Sequence, residues 1–285
     1  MVSTTGCAEV RCAGRRLSEA YKDPVALELV KAAVKGNADK VDSLIKAGAK
    51  PNHKEDDAVP MLLWCICADN ARGFEALLKG GADPNLGGTG GGKGDGKGHG
   101  LMENGTIIYE GWSATVMAGG TANPEFLRLA LKYGGNPNAK RGDESPAGSV
   151  PILEAAYNGL FDNIKLLVDA GADINVHDSK FVGYTIPDNA VGGRGRFDIA
   201  LWCLEHGYKD LRNLAKKAEN CIASDPQQKH KEELVRRLRG MGVEIPTPGM
   251  KEELLARRVP AELWEDVVLG TRAIGEWQWQ GAPKR

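Results

Sequence analysis

The chain has 285 residues, with 37 Lys and Arg against 38 Asp and Glu, so its formal net charge is −1. A hydrophobic fraction of 42% and a charged fraction of 26% match folded globular proteins and exclude global disorder. Near-neutrality argues against a general nucleic-acid binder. No apolar run reaches the roughly 18 residues that a membrane-spanning helix needs.

Residues 1–23 form a polar amino-terminal segment carrying Cys7 and Cys12. It is too short to hold the charged and apolar regions of a signal peptide, so the chain as written is expected in the cytoplasm. Thr5-Gly6-Cys7-Ala8 nevertheless resembles the end of a bacterial lipoprotein signal. With a start further upstream, Cys7 would be the lipidated residue of a periplasmic lipoprotein. Cys65 and Cys67 lie in an apolar stretch, and Cys203 and Cys221 stand singly in helical patterns. These are expected to be buried thiols rather than a disulfide framework. No CxxC or HxxxH spacing occurs, so no metal site is expected.

From Pro24 onward the chain repeats. Ala47-Gly48-Ala49-Lys50-Pro51-Asn52, Gly80-Gly81-Ala82-Asp83-Pro84-Asn85, Tyr133-Gly134-Gly135-Asn136-Pro137-Asn138 and Ala170-Gly171-Ala172-Asp173-Ile174-Asn175 are copies of one pattern. Weaker copies stand at His206-Gly207-Tyr208 and Met241-Gly242-Val243. With Ala49, Ala82, Gly135, Ala172, Tyr208 and Val243 as equivalent anchors, the spacings are 33, 53, 37, 36 and 35. Eight, five and four residues before each anchor lie apolar side chains such as Phe74, Leu77 and Leu78, with Arg239 the one exception, the inner face of a helix. A glycine directly before each anchor closes that helix. An earlier helix is marked by small pairs: Ala32-Ala33, Ala118-Gly119 and Ala155-Ala156, with Cys65-Ile66 in the second unit. Pro151 fits the first position of one such helix.

Two helices, a glycine stop and an Asp-Pro-Asn turn per unit resemble an ankyrin repeat. The resemblance covers residues 24–245 and implies an all-α solenoid of about six units. Val150 to Ala156 is similar to the family's Thr-Pro-Leu-His-x-Ala-Ala start, with Val150 and Leu153 departing from it.

The long third spacing comes from a Gly-rich insertion at 86–109, in which Gly87 to Gly100 hold nine glycines. In the resemblance this is the β-hairpin that projects between units, and it is either a contact edge or a linker loop. Gly92-Lys93 and Gly96-Lys97 lack the Ser or Thr that a phosphate-binding loop requires next. Residues 246–285 are a tail with two short helices, Lys251 to Arg257 and Pro260 to Leu269, expected to cap the last unit's apolar side. Trp277-Gln278-Trp279 suits docking on the solenoid or on a partner. Lys229, Lys231, Arg236, Arg237 and Arg239, interleaved with Glu232 and Glu233, are expected on a solvated face.

No convergent nucleophile, base and stabiliser are marked, so neither catalytic residues nor a cofactor are assigned. The expectation is a non-enzymatic scaffold, monomeric when free, that binds a protein. Candidate contact residues are His53 and Asp56, then Lys93, Lys97, His99 and Tyr109 of the insertion, Arg141, His177, Phe181 and Tyr184. Trp112 is placed with Phe181 and Tyr184 on the concave face. His53 and His177 occupy matching turn positions, where a polar residue meets either water or a partner. The ankyrin pattern, inserted hairpin and lipoprotein-like start are similar to bacterial immunity proteins. That resemblance implies occlusion of a toxin, including phospholipase effectors delivered by type VI secretion. A cellular adaptor or chaperone-like partner and a host-directed ankyrin effector remain the alternatives.

Overall fold

The computed structural model describes residues 9–55, 58–88, 111–140, 150–177 and 185–278. The described residues are all-α apart from one hairpin of two-residue strands, β1 (Arg11–Cys12) and β2 (Arg15–Arg16), paired antiparallel. It divides into two units: residues up to Ala155 with Asp162–Ala172, and Ala156–Phe161 with Asp173 onward.

In the first unit, helices alternate as the repeat predicts: α1 (Pro24–Val34), α2 (Ala38–Lys46), α3 (Met61–Cys67), α4 (Ala71–Lys79), α5 (Ala114–Gly119) and α6 (Pro124–Lys132). The first helix of each pair stacks on the next first helix, and the second on the next second. Asp23, Asn37, Asn70, Ser113 and Asn123 each cap a helix by accepting a first-turn N–H, which satisfies a donor that the helix cannot. The apolar columns are buried: Val41, Phe74, Leu77, Leu127, Ala130 and Leu167 are fully inaccessible. Phe74 meets Phe126 edge-on, with ring centroids 5.3 Å apart. Each closing glycine is left-handed, as at Gly48 (φ 102°) and Gly81 (φ 91°). The anchor N–H then returns to the apolar column, Ala49 to Leu44 O and Ala82 to Leu77 O, both 3.0 Å.

The asparagine ending each turn explains why it recurs. Asn52 Nδ2 donates to Gly81 O (2.8 Å) while its Oδ1 accepts from Asp83 N–H (2.7 Å). Asn85 does the same to Gly134 O (2.9 Å) and Asn136 N–H (2.7 Å). Asn138 Nδ2 reaches Gly171 O at 2.9 Å. One amide thus reads both groups of the following turn and sets the register between repeats.

The second unit keeps this staple, with Asn175 bonded to Gly207 O (3.3 Å) and Lys209 N–H (2.8 Å). Its helices are α9 (Phe197–Glu205), α10 (Leu211–Asn220), α11 (Asp225–Gly240), α12 (Pro248–Ala256) and α13 (Trp264–Leu269). α7 (Pro151–Tyr157) passes from the first unit to the second after Ala155, and α8 (Phe161–Asp169) belongs to the first unit from Asp162 on. Pro151 opens α7, as expected. Where a regular first helix would precede α9, residues Asp188–Gly192 form a π-type turn.

The tail folds on itself. Met250, Leu254, Val259 and Val267 form a small core, joined by Leu263, Trp264, Ile274 and Trp277. The chain packs α13 against α10 and α11, so the tail covers these helices, while Trp277 packs on the tail's own core. Trp279 lies outside the described residues. Pro260 precedes a short 3₁₀ turn, Ala261–Leu263, rather than opening the helix itself.

Two expectations are corrected. Cys67 is not a free thiol: it forms a disulfide with Cys12, their Cα atoms 5.6 Å apart, while Cys65 and Cys203 are buried and free. The hairpin brings Cys12 against α3, a pairing that two residues per strand leave no periodic trace of in sequence. Lys231 is not on a solvated face: it is 1% exposed. Its ammonium donates to Cys221 O (2.9 Å) and lies over the Phe197 ring, and burial lowers its pKa to about 8.

Candidate partner-binding groove

The loop after α2 and the segment before α1 meet through one carboxylate. Glu55 accepts from the N–H groups of Lys22 (2.9 Å) and Asp23 (2.9 Å). Those two backbone bonds, the largest influences, hold its carboxyl below the ordinary range. His53 Nε2 lies 3.1 Å from the same carboxylate, and Nδ1 faces Asp23 at 3.8 Å. Tyr21 packs edge-on against the imidazole at 5.8 Å. Its hydroxyl donates to Val59 O (2.6 Å), and burial pushes the phenol's pKa upward.

On the other side stands the root of the Gly-rich insertion. Gly111 N–H donates to Gly88 O (2.8 Å), and Gly88 N–H to Trp112 O (3.4 Å). These bonds tie the two ends of the insertion together. A Cβ on Gly88 would come within 2.5 Å of the Pro60 ring, so glycine here lets the backbone pass close to the loop before α3.

Between these walls lies an open groove of about 520 Å³, lined by Tyr21, Lys22, His53, Lys54, Glu55, Ala58, Pro60, Leu86, Gly87 and Gly88. Apolar patches from Tyr21, Ala58, Pro60 and Leu86 alternate with charged side chains, a composition suited to anchoring a side chain from another protein. Among the described residues no group of three His, Cys, Asp or Glu is placed to hold a metal ion. No helix among them is long and apolar enough to cross a membrane.

Of the residues singled out in the sequence, His53 lies in the groove, held between two carboxylates rather than standing in water. His177 is exposed in the second unit. Asp56, Lys93, Lys97, His99, Tyr109, Arg141, Phe181 and Tyr184 lie outside the described residues, as does Cys7. Trp112 is a correction: at 3% exposure it is core, not contact surface. It directly precedes Ser113, the cap of α5, and its carbonyl accepts from Gly88 N–H; burial of so large an apolar ring beside the stack is favourable. Tyr21 and Lys22 were missed because the segment carrying them has no repeat pattern. Their one sequence signal is adjacency to Asp23-Pro24, a helix start that fixes the residues just before it.

No family model matches the chain. Over 54 residues it is 46% identical to the potassium channel KOR1 of Oryza sativa subsp. japonica, a stretch that makes up 19% of this chain and 6% of the channel. So short a stretch is a local likeness and carries no activity across.

Proposed function

We propose that the chain is an ankyrin-type scaffold that binds a protein without transforming it, and that the groove beside the insertion anchors the partner. The observation carrying this reading is the groove's position. A groove lined by both apolar and charged side chains opens where the insertion leaves the stack, so one partner can engage both. Support for the ankyrin architecture comes from the recurring helix pairs, the left-handed glycines and the asparagine staples. The partner proposed is an antibacterial toxin, with a phospholipase among the candidates, occluded by the bound scaffold. That part rests on the resemblance of the repeat pattern and lipoprotein-like start to immunity proteins.

The test is affinity capture from the producing cell, followed by titration of the captured protein with wild-type chain and with His53→Ala and Leu86→Asp variants. A captured toxin whose activity falls on binding, with affinity weakened about tenfold or more by Leu86→Asp, is the expected result. Capture of a housekeeping enzyme left active would favour the adaptor reading. Undiminished affinity in both variants would move the site away from the groove.

A further inference from the structure

The amino-terminal hairpin cannot hold itself in place. Its strands are two residues each, and isolated hairpins are marginal in water even when longer. Yet this segment builds a wall of the groove: Tyr21 and Lys22 line it, and the N–H groups of Lys22 and Asp23 fix Glu55. What fastens the segment upstream is Cys12, wholly buried and bonded to Cys67 at the end of α3. A Cα separation of 5.6 Å lies within the span that a disulfide bridges without backbone movement.

We infer that the groove belongs to the oxidised chain, and that the protein therefore acts in an oxidising compartment. Disulfides persist in such compartments and are rare where cellular thiols keep cysteines reduced. The other cysteines fit a specific pairing. Cys65, two residues from Cys67, is buried and free, and burial pushes its thiol well upward; Cys203 is pushed up to about 12. Neither forms the thiolate needed to attack the bridge, so neither Cys65 nor Cys203 exchanges with Cys12–Cys67. Closure converts two thiols to one S–S bond. The two electrons and two protons pass to a disulfide-bearing oxidant, which leaves as a dithiol. The compartment follows from the cysteine pair alone; its consequence for binding rests on the groove reading above.

The experiment traps thiols in the producing cell. Cells are quenched in acid, free thiols are blocked with a light alkylating reagent, and the chain is then reduced and labelled with a heavy one. Peptide mapping should place heavy label on Cys12 and Cys67 and light label on Cys65 and Cys203. Light label on both Cys12 and Cys67 would overturn the inference. A second measurement uses the purified wild-type chain. Mild reduction should speed amide hydrogen exchange across Leu17 to Asp23 by about tenfold or more while leaving α4 and α6 unchanged. Unchanged exchange across Leu17 to Asp23 would show that the wall stands without the bridge. Heavy label as expected, with partner affinity indifferent to Leu86→Asp, would sink the groove as a binding site and leave the compartment inference standing.

Discussion

Asn85 illustrates how much a single exposed side chain organises here. Its amide donates to Gly134 O and accepts from Asn136 N–H, replacing two solvent bonds with two that join successive turns. Each such bond is worth roughly 0.5–1.5 kcal/mol net, so Asn85→Ala should lower stability by about 1–3 kcal/mol in a urea titration with no change in helix content. Asn85→Asp keeps the acceptor and loses the donor, and should fall between. Lys231 behaves oppositely, because burial makes its charge a cost. Its folded pKa, about 8, is below that of an exposed lysine, so the unfolded chain binds more protons across that interval. Its contribution therefore improves as pH rises from about 8 toward the unfolded value near 10.4. Cys203 and Tyr208, both raised to about 12, act in the other direction over alkaline pH, so the measurement is a difference. The denaturation midpoints of wild type and Lys231→Met should draw together between pH 7.5 and 10, wild type gaining on the variant. A constant gap would mean that Lys231 is as hydrated folded as unfolded.

At the scale of elements, close approach of backbones decides which residues are tolerated. A Cβ on Gly73 would lie 1.8 Å from Ala33 O, because α4 crosses α1 with nothing between them. Gly73→Ala should cost about 3 kcal/mol or more, as overpacking against backbone cannot be relieved by a rotamer change. Gly48 has open space around its missing Cβ but a φ of 102°, so Gly48→Ala should cost only its backbone strain, about 1 kcal/mol. Thermal melts of the two variants separate steric from conformational demand. The helix pairs themselves were legible, because apolar columns at helical spacing and a glycine at a constant offset are direct imprints of packing and of chain reversal. Phe74, Leu77 and Leu127 are buried as their columns require. What escaped was whatever lacks a period. The hairpin is too short to alternate, Cys12 and Cys67 are far apart in sequence, and Trp112 stands just before a helix cap, outside the repeat's apolar columns. Lys231 sits in a helix rich in charge, and only the carbonyl of Cys221 and the ring of Phe197 explain its burial. Of the groove, His53 was legible from its repeat position, whereas Tyr21 and Lys22 depend on contacts that no local pattern encodes.

At the scale of the whole molecule, the first unit is held by one long covalent closure and interrupted by one long insertion, and these act on stability very differently. Cys12 and Cys67 are 55 residues apart; bridging a loop of that length removes unfolded-chain entropy worth about 4 kcal/mol. The insertion has no comparable effect, since loop-closure entropy changes by only about 0.6 kcal/mol per doubling of length. Its ends are already joined through Gly88, Gly111 and Trp112, so the repeat below it closes without help from the residues between. Replacing residues 89–110 by a short Gly-Ser bridge should therefore shift the urea midpoint by an amount equivalent to less than about 1 kcal/mol. Binding should respond otherwise if Lys93, Lys97, His99 or Tyr109 touch the partner, because central contacts can each be worth about 2 kcal/mol or more. The shortened chain is melted and titrated against the captured partner, alongside Leu86→Asp in the full-length chain. Loss of affinity in both, with unchanged melts, makes groove and insertion one recognition surface. Loss in Leu86→Asp alone leaves the groove as the anchor and the insertion as a linker. Unchanged affinity in both removes this edge of the molecule from recognition and directs the search to the exposed turn at His177 in the second unit.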